Sequence, residues 1–132
     1  MSTQRKVVGV VEDNCGIRRA MGRLLSLLGY ETELYATPDE FLAAADRSEA
    51  ICLVVDVELA ESCGFEFAQR LLRAGSTTPI IFMSADDADP CKRRAAEIGC
   101  VAFLSKPFSA AVLIEALARI PRLRPPPPEG EK

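Results

Sequence analysis

Short apolar runs that end on polar residues punctuate the chain. Val7-Val8-Gly9-Val10-Val11 runs into Glu12-Asp13, and Ile51-Cys52-Leu53-Val54-Val55 ends on Asp56. Pro79-Ile80-Ile81-Phe82-Met83 ends at Ser84, and Val101 to Leu104 ends near Ser105-Lys106-Pro107. Apolar runs this short predict strands buried on both faces, as in a parallel sheet. Glu31 to Tyr35 alternates instead, which predicts a strand near the sheet's edge. Between the runs the period changes. Ile17, Ala20, Met21, Leu24, Leu25 and Leu28 recur at spacings of three and four, so an amphipathic helix is predicted, stopped by Gly29. Thr37-Pro38 opens a second helix with Phe41, Leu42 and Ala45 inward. A loop from Val57 to Cys63 leads through Gly64 to a third helix, bearing Phe65, Phe67, Ala68, Leu71 and Leu72 and stopped by Gly75. Asp89-Pro90 opens a fourth, closed by Gly99, and a last helix runs from Ala110 to near Ile120. Asn14 and Ser109 are the candidate caps of the first and last.

Strands that alternate with helices imply a parallel sheet with crossover helices. Five such units give a doubly wound α/β domain over residues 1–121. Residues 122–132 hold Pro125-Pro126-Pro127-Pro128 and then charges, which predicts an extended, solvated, mobile tail.

Composition narrows the function. A net charge of -3 argues against nucleic-acid binding, which needs a basic face. No apolar run is long enough to span a bilayer, and the N-terminus is polar rather than signal-like, so no membrane association is expected. The five cysteines show no metal-ligand spacing, which suits a reduced, cytoplasmic chain. Cys15 and Cys63 fall in loops beside the acidic strand ends, and Cys91 begins a helix, where a thiolate is expected to be favoured and a redox role becomes conceivable. There is no histidine, so Ser-His-Asp systems, Cys-His systems and His-ligated metals are excluded.

The strand ends carry the remaining chemistry. In a parallel sheet they share one rim, so Glu12, Asp13, Asp56, Ser84 and Lys106 are expected to converge. Taken singly, each has a plain reading: a solvated acid pair, a helix cap, a turn serine, a surface lysine. Five of them at four strand ends are hard to assign to chance. Packed carboxylates need a cation, and oxygen ligands suit Mg²⁺. A carboxylate beside the metal can form an acyl phosphate, with lysine and serine on the phosphoryl oxygens.

Over about Arg5 to Ile120 the chain resembles the receiver domain of bacterial two-component response regulators. The resemblance lies in Val11-Glu12-Asp13-Asn14, in Asp56 with Gly64 eight residues beyond, in Ser84-Ala85, and in Phe103-Leu104-Ser105-Lys106-Pro107. The wording of Phe82-Met83-Ser84-Ala85 and of Gly99 to Pro107 is most similar to receivers of the nitrogen-fixation regulator type. The resemblance implies a (βα)5 flavodoxin-like sheet in strand order 2-1-3-4-5. It implies that Asp56 accepts a phosphoryl group from the histidine of a sensor kinase. It further implies that Glu12, Asp13, Asp56 and the backbone carbonyl of Glu58 hold Mg²⁺, that Ser84 and Lys106 contact the phosphoryl group, and that Phe103 is the switching aromatic. The domain would catalyse only its own phosphorylation and dephosphorylation. The face of the fourth helix, fifth strand and fifth helix would then meet a downstream protein or a second copy.

Two positions depart from the family's pattern. Ala60 stands where proline is frequent, so a less rigid loop is expected. Glu58 adds an acid expected to reach Lys106 or the metal site and to alter the lifetime of the phosphorylated state. With no output domain after the tail, the expectation is a stand-alone receiver or a piece of a longer regulator, the first being favoured. The competing readings are a haloacid-dehalogenase-type phosphatase, which would want an aspartate where Glu58 stands, and an interaction module without phosphotransfer. A flavodoxin-like electron carrier shares the topology, but Glu12-Asp13 would repel a flavin phosphate.

Overall fold

The computed structural model describes residues 5–60 and 62–123. Five strands and five helices alternate along the chain. They are β1 (Val7–Val11), α1 (Cys15–Leu27), β2 (Glu31–Tyr35), α2 (Pro38–Ala44), β3 (Cys52–Asp56), α3 (Gly64–Arg73), β4 (Ile80–Ser84), α4 (Asp89–Ile98), β5 (Ala102–Ser105) and α5 (Ala110–Ala118). Short 3₁₀ turns occupy Ala45–Arg47 and Pro121–Leu123. The strands pair parallel throughout, in the order β2-β1-β3-β4-β5. The expected fold and strand order are therefore present.

The apolar runs form strands because both sheet faces are covered. Val8, Val10, Val54 and Ile81 pack with Met21 and Leu25 of α1 and with Leu113 and Leu117 of α5. Their neighbours Val11, Leu53, Val55 and Phe82 point the other way. These pack with Phe41 of α2, with Phe65, Phe67 and Leu71 of α3, and with Ala95 of α4. Each fully buried side chain of this size contributes roughly 1.5–3 kcal/mol of transfer free energy. β2 lies at the sheet's edge and shows the mixed burial its alternation predicted.

The helix starts follow their caps. Asn14 accepts the Ile17 amide at 2.9 Å, Thr37 the Glu40 amide at 3.0 Å and Ser109 the Val112 amide at 3.2 Å. Because Asn14 is the cap, α1 begins at Cys15, ahead of the first apolar residue, and Ile17 lies on its exposed side. Gly99 ends α4 with φ +97°, a conformation that glycine adopts without a Cβ clash.

The folded unit also runs further than expected. Leu123 is fully buried, and Tyr30 donates its hydroxyl proton to the Leu123 carbonyl at 2.9 Å. Arg122 and Leu123 thus belong to the domain, because an apolar residue past the prolyl turn still finds the core. The rest of the proline-rich tail, residues 124–132, lies outside the described residues. Among the described residues, no helix is long and apolar enough to cross a membrane.

Candidate functional site

The chain leaves β1 for β2 on one side and returns to β3 on the other. Topology therefore opens a crevice at the C-terminal ends of β1 and β3. Glu12 and Asp13 follow β1 directly, Asp56 is the last residue of β3, Ser84 the last of β4, and Lys106 the first after β5. Glu12, Asp56 and Ser84 are buried, while Asp13 and Lys106 are half-buried. The rim the sequence predicts is thus assembled.

Its charges are tightly drawn together. Carboxylate oxygens of Glu12, Asp13 and Asp56 all lie within 4.8 Å of one another. The Lys106 ammonium sits 3.1 Å from Glu12 Oε1 and 3.2 Å from Asp56 Oδ1. One ammonium among three carboxylates leaves negative charge in excess. Burial pushes the Glu12 carboxyl up to about 7; the Asn14 amide and Lys106 pull it back, and the Asp56 charge adds to the rise. Burial pulls Lys106 down, but its hydrogen bonds and the charges of Glu12 and Asp56 outweigh that, and its pKa is raised. An all-oxygen donor set of this kind suits a hard divalent cation.

The loop after β3 is held by the site itself. The Glu58 amide donates to Asp56 Oδ1 at 3.1 Å, and the Ala60 amide donates to Asp13 Oδ2 at 2.8 Å. A proline at residue 60 could not make the second bond, because it has no N–H. The departure from the family's proline therefore ties the loop to Asp13, against the looseness expected. An isolated antiparallel bridge joins Glu58 to Cys63, and the Gly64 amide donates to the Val57 carbonyl at 2.9 Å. Gly64 is required here. A Cβ on it would lie 2.3 Å from the Asp56 carbonyl oxygen and 2.9 Å from Val57 Cα, both backbone atoms that cannot step aside cheaply. Gly64→Ala is expected to cost about 3 kcal/mol and to lower the thermal midpoint by roughly 10 °C. Thermal denaturation followed by circular dichroism checks this, and an unchanged midpoint would refute the clash.

Other contacts were not visible in the sequence. Arg18, in the first turn of α1, donates to the Glu12 carbonyl at 2.9 Å and reaches the Asp13 carbonyl at 3.4 Å, pinning the corner after β1. The Glu58 carboxylate goes neither to Lys106 nor to the acidic cluster. It accepts the Ser84 hydroxyl and, at 2.9 Å, the Ala85 amide. Phe103 stands half-buried on β5, opposite Phe82, against the α3–α4 side of the core. Among the thiols, Cys15 is the first residue of α1 and Cys63 the cap position of α3, and all five cysteines are free. Cys91 does not show the favoured thiolate expected of a helix start. Burial raises its pKa, a hydrogen bond with Ser84 opposes the rise, and the nearby Asp86 and Glu58 charges add to it.

A family model for the response regulator receiver domain matches residues 8–118. The chain belongs to the response regulator receiver domains. The response regulator protein TodT of Pseudomonas putida is 30% identical over 95% of this chain and 55% of its own length. The transcriptional regulatory protein FixJ of Rhizobium meliloti is 28% identical over 85% of this chain and 55% of its own. This receiver spans about half the length of the curated relatives it matches. The crystal structure of FixJ-N superposes with a TM-score of 0.82 at 27% identity, covering 91% of this chain and 96% of that one. The chemotaxis protein CheY4 of Vibrio cholerae gives 0.81 at 28% identity, covering 88% and 98%.

Proposed function

We propose that this receiver accepts a phosphoryl group on Asp56 from the histidine of a partner sensor kinase. The observation that carries the proposal is a buried aspartate at a strand end, bonded to an ammonium and clustered with two further carboxylates. An Asp56 carboxylate oxygen forms the new bond to phosphorus as the nitrogen–phosphorus bond of the kinase histidine breaks. Lys106, already 3.2 Å from Asp56 Oδ1, would hold a phosphoryl oxygen, and Ser84 would donate to another. In this reading Glu12, Asp13, Asp56 and the Glu58 backbone carbonyl hold Mg²⁺. When bound, the ion neutralises charge on the phosphoryl oxygens. The domain's own chemistry is then limited to gaining and losing that group, and output runs through Ser84 and Phe103 to the α4-β5-α5 face.

A dehalogenase-type phosphatase is not favoured. It would need a free acid two residues after the nucleophile, and the Glu58 carboxylate is committed to Ser84 and Ala85. The deciding experiment is incubation with acetyl phosphate and Mg²⁺ followed by intact mass. Wild type is expected to gain one phosphoryl group and Asp56→Asn none. A full adduct on Asp56→Asn would overturn the assignment.

The raised Glu12 pKa gives the site a pH dependence. Without a cation the fold favours protonated Glu12. That contribution to stability is complete below the ordinary 4.5 and is lost as pH rises to about 7. A cation needs the ionised form, so its affinity runs the opposite way. The Mg²⁺ affinity is expected to fall about tenfold between pH 8 and pH 6, read by titration calorimetry. A dissociation constant that ignores pH would remove Glu12 from the ligand set.

A further inference from the structure

The reading above uses only the backbone of Glu58. Its side chain nonetheless makes two bonds. On the ladder between β3 and β4, Asp56 faces Met83, and the Val57 amide donates to the Met83 carbonyl at 2.9 Å. The residues just beyond, Glu58 and Ser84-Ala85, are thereby brought together. Glu58 Oε1 accepts the Ala85 amide at 2.9 Å and Oε2 accepts the Ser84 hydroxyl. Ser84 Oγ also accepts the Asp86 amide at 2.9 Å and lies 3.0 Å from the Asp86 carbonyl. A hydroxyl has one proton, so it cannot serve both acceptors. The charged carboxylate outbids the neutral carbonyl. Both donors at the end of β4 are therefore already spent on an anion.

A phosphoryl group on Asp56 presents acceptor oxygens only. Beside Asp56 stand Lys106, which Glu12 shares, and the Glu58 amide, already on Asp56 Oδ1 at 3.1 Å; the Ser84 hydroxyl and Ala85 amide follow Met83, the residue opposite Asp56 on β4. Ser84 is fully buried, so water cannot replace a lost partner there. Glu58 is exposed, so its carboxylate can swing out into solvent. We propose that the Glu58 carboxylate is a built-in stand-in for the phosphoryl group: it occupies the Ser84 hydroxyl and Ala85 amide of the unphosphorylated receiver and must leave before a phosphoryl group on Asp56 can take them. The inference rests on Asp56 as phosphoacceptor. Glu58 then acts as a positioning residue, setting the threshold for phosphoryl engagement by direct competition for two hydrogen bonds.

The test uses wild type, Glu58→Ala and Glu58→Asp. Aspartate keeps the charge but is one methylene too short to bridge both donors. Amide NMR of the phosphate-free proteins reads the Ala85 signal, which is expected to move in both variants. Titration with beryllofluoride in Mg²⁺ then reads the competition. Both variants are expected to bind about tenfold more tightly than wild type, the scale of one charge-assisted hydrogen bond. Tighter binding by Glu58→Ala with wild-type affinity for Glu58→Asp would mean that charge alone acts, and overturns the competition. Equal or weaker binding by both variants overturns it as well. No binding by any of the three, wild type included, overturns the phosphoacceptor reading itself and is recognised by the wild-type titration alone.

Discussion

Metal-free Asp13→Asn is expected to melt at a higher temperature than wild type while losing Mg²⁺-dependent phosphorylation. Three carboxylates meet within 4.8 Å, and one ammonium serves them. Lys106 pairs with Glu12 and Asp56, so Asp13 is the acid of the three without that partner. Its structural bond is the Ala60 amide on Oδ2, and an asparagine oxygen can accept the same proton. The substitution therefore removes repulsion and keeps the loop. At the effective dielectric of a half-exposed site the relief is on the order of 1 kcal/mol, or about 3–5 °C in a domain of this size. The same change takes away a hard anionic ligand. Phosphorylation by acetyl phosphate is expected to slow roughly a hundredfold, equivalent to about 3 kcal/mol of lost charge neutralisation. Thermal melts in chelator and intact-mass time courses in Mg²⁺ measure the two effects. A wild-type rate with unchanged Mg²⁺ dependence would exclude Asp13 from the metal site. A lowered midpoint would mean that the cluster is not repulsive. Stability and function would pull against each other here if the clustered acids hold a cation as proposed.

Most of this site could be read before any coordinate was known, for a physical reason. β3 and β4 are buried on both faces, so their sequences admit nothing polar until the strand ends, and Asp56 and Ser84 mark those ends unambiguously. Parallel topology then carries Glu12, Asp13 and Lys106 to the same rim. What escaped the sequence depends on side-chain reach across elements. No local pattern tells whether Glu58 turns toward Lys106 or toward β4; the ladder register decides, and it brings Glu58 to Ser84. Arg18 bonds the carbonyls before its own helix, a contact its place in an amphipathic pattern does not announce. Cys91 lacks the thiolate that a helix start favours because burial opposes it. Leu123, beyond Pro121, packs into the core, which the surrounding prolines do not announce.

Ser84→Ala should accept a phosphoryl group and fail to transmit it. The hydroxyl is fully buried at the end of β4 and is committed on two sides, donating to Glu58 and accepting from the Asp86 amide. The β4–β5 ladder continues past it, with Ser84 opposite Ser105 and Phe82 opposite Phe103. In the proposed reading, a phosphoryl group on Asp56 would draw the hydroxyl toward itself. The Asp86 amide and the start of α4 would follow, and half-buried Phe103 would gain a place to turn inward. If these motions share packing, the receiver is expected to behave as two states rather than a continuum. Alanine removes the donor and leaves the Asp86 amide without its acceptor, which costs about 1–2 kcal/mol of stability. It leaves Asp56 and Lys106 in place, so acyl phosphate is still expected to form. Sedimentation with and without beryllofluoride is the comparison, in wild type, Ser84→Ala and Phe103→Ala, with amide NMR of residues 86–120 as the second readout. Wild type is expected to show a ligand-dependent change on the α4-β5-α5 face, with association through it, and both variants to lose most of that change while still binding beryllofluoride. A full response in Ser84→Ala would break the link between the hydroxyl and the output face. A full response in Phe103→Ala alone would place the signal on α4, reached through the Asp86 amide, rather than on the aromatic ring.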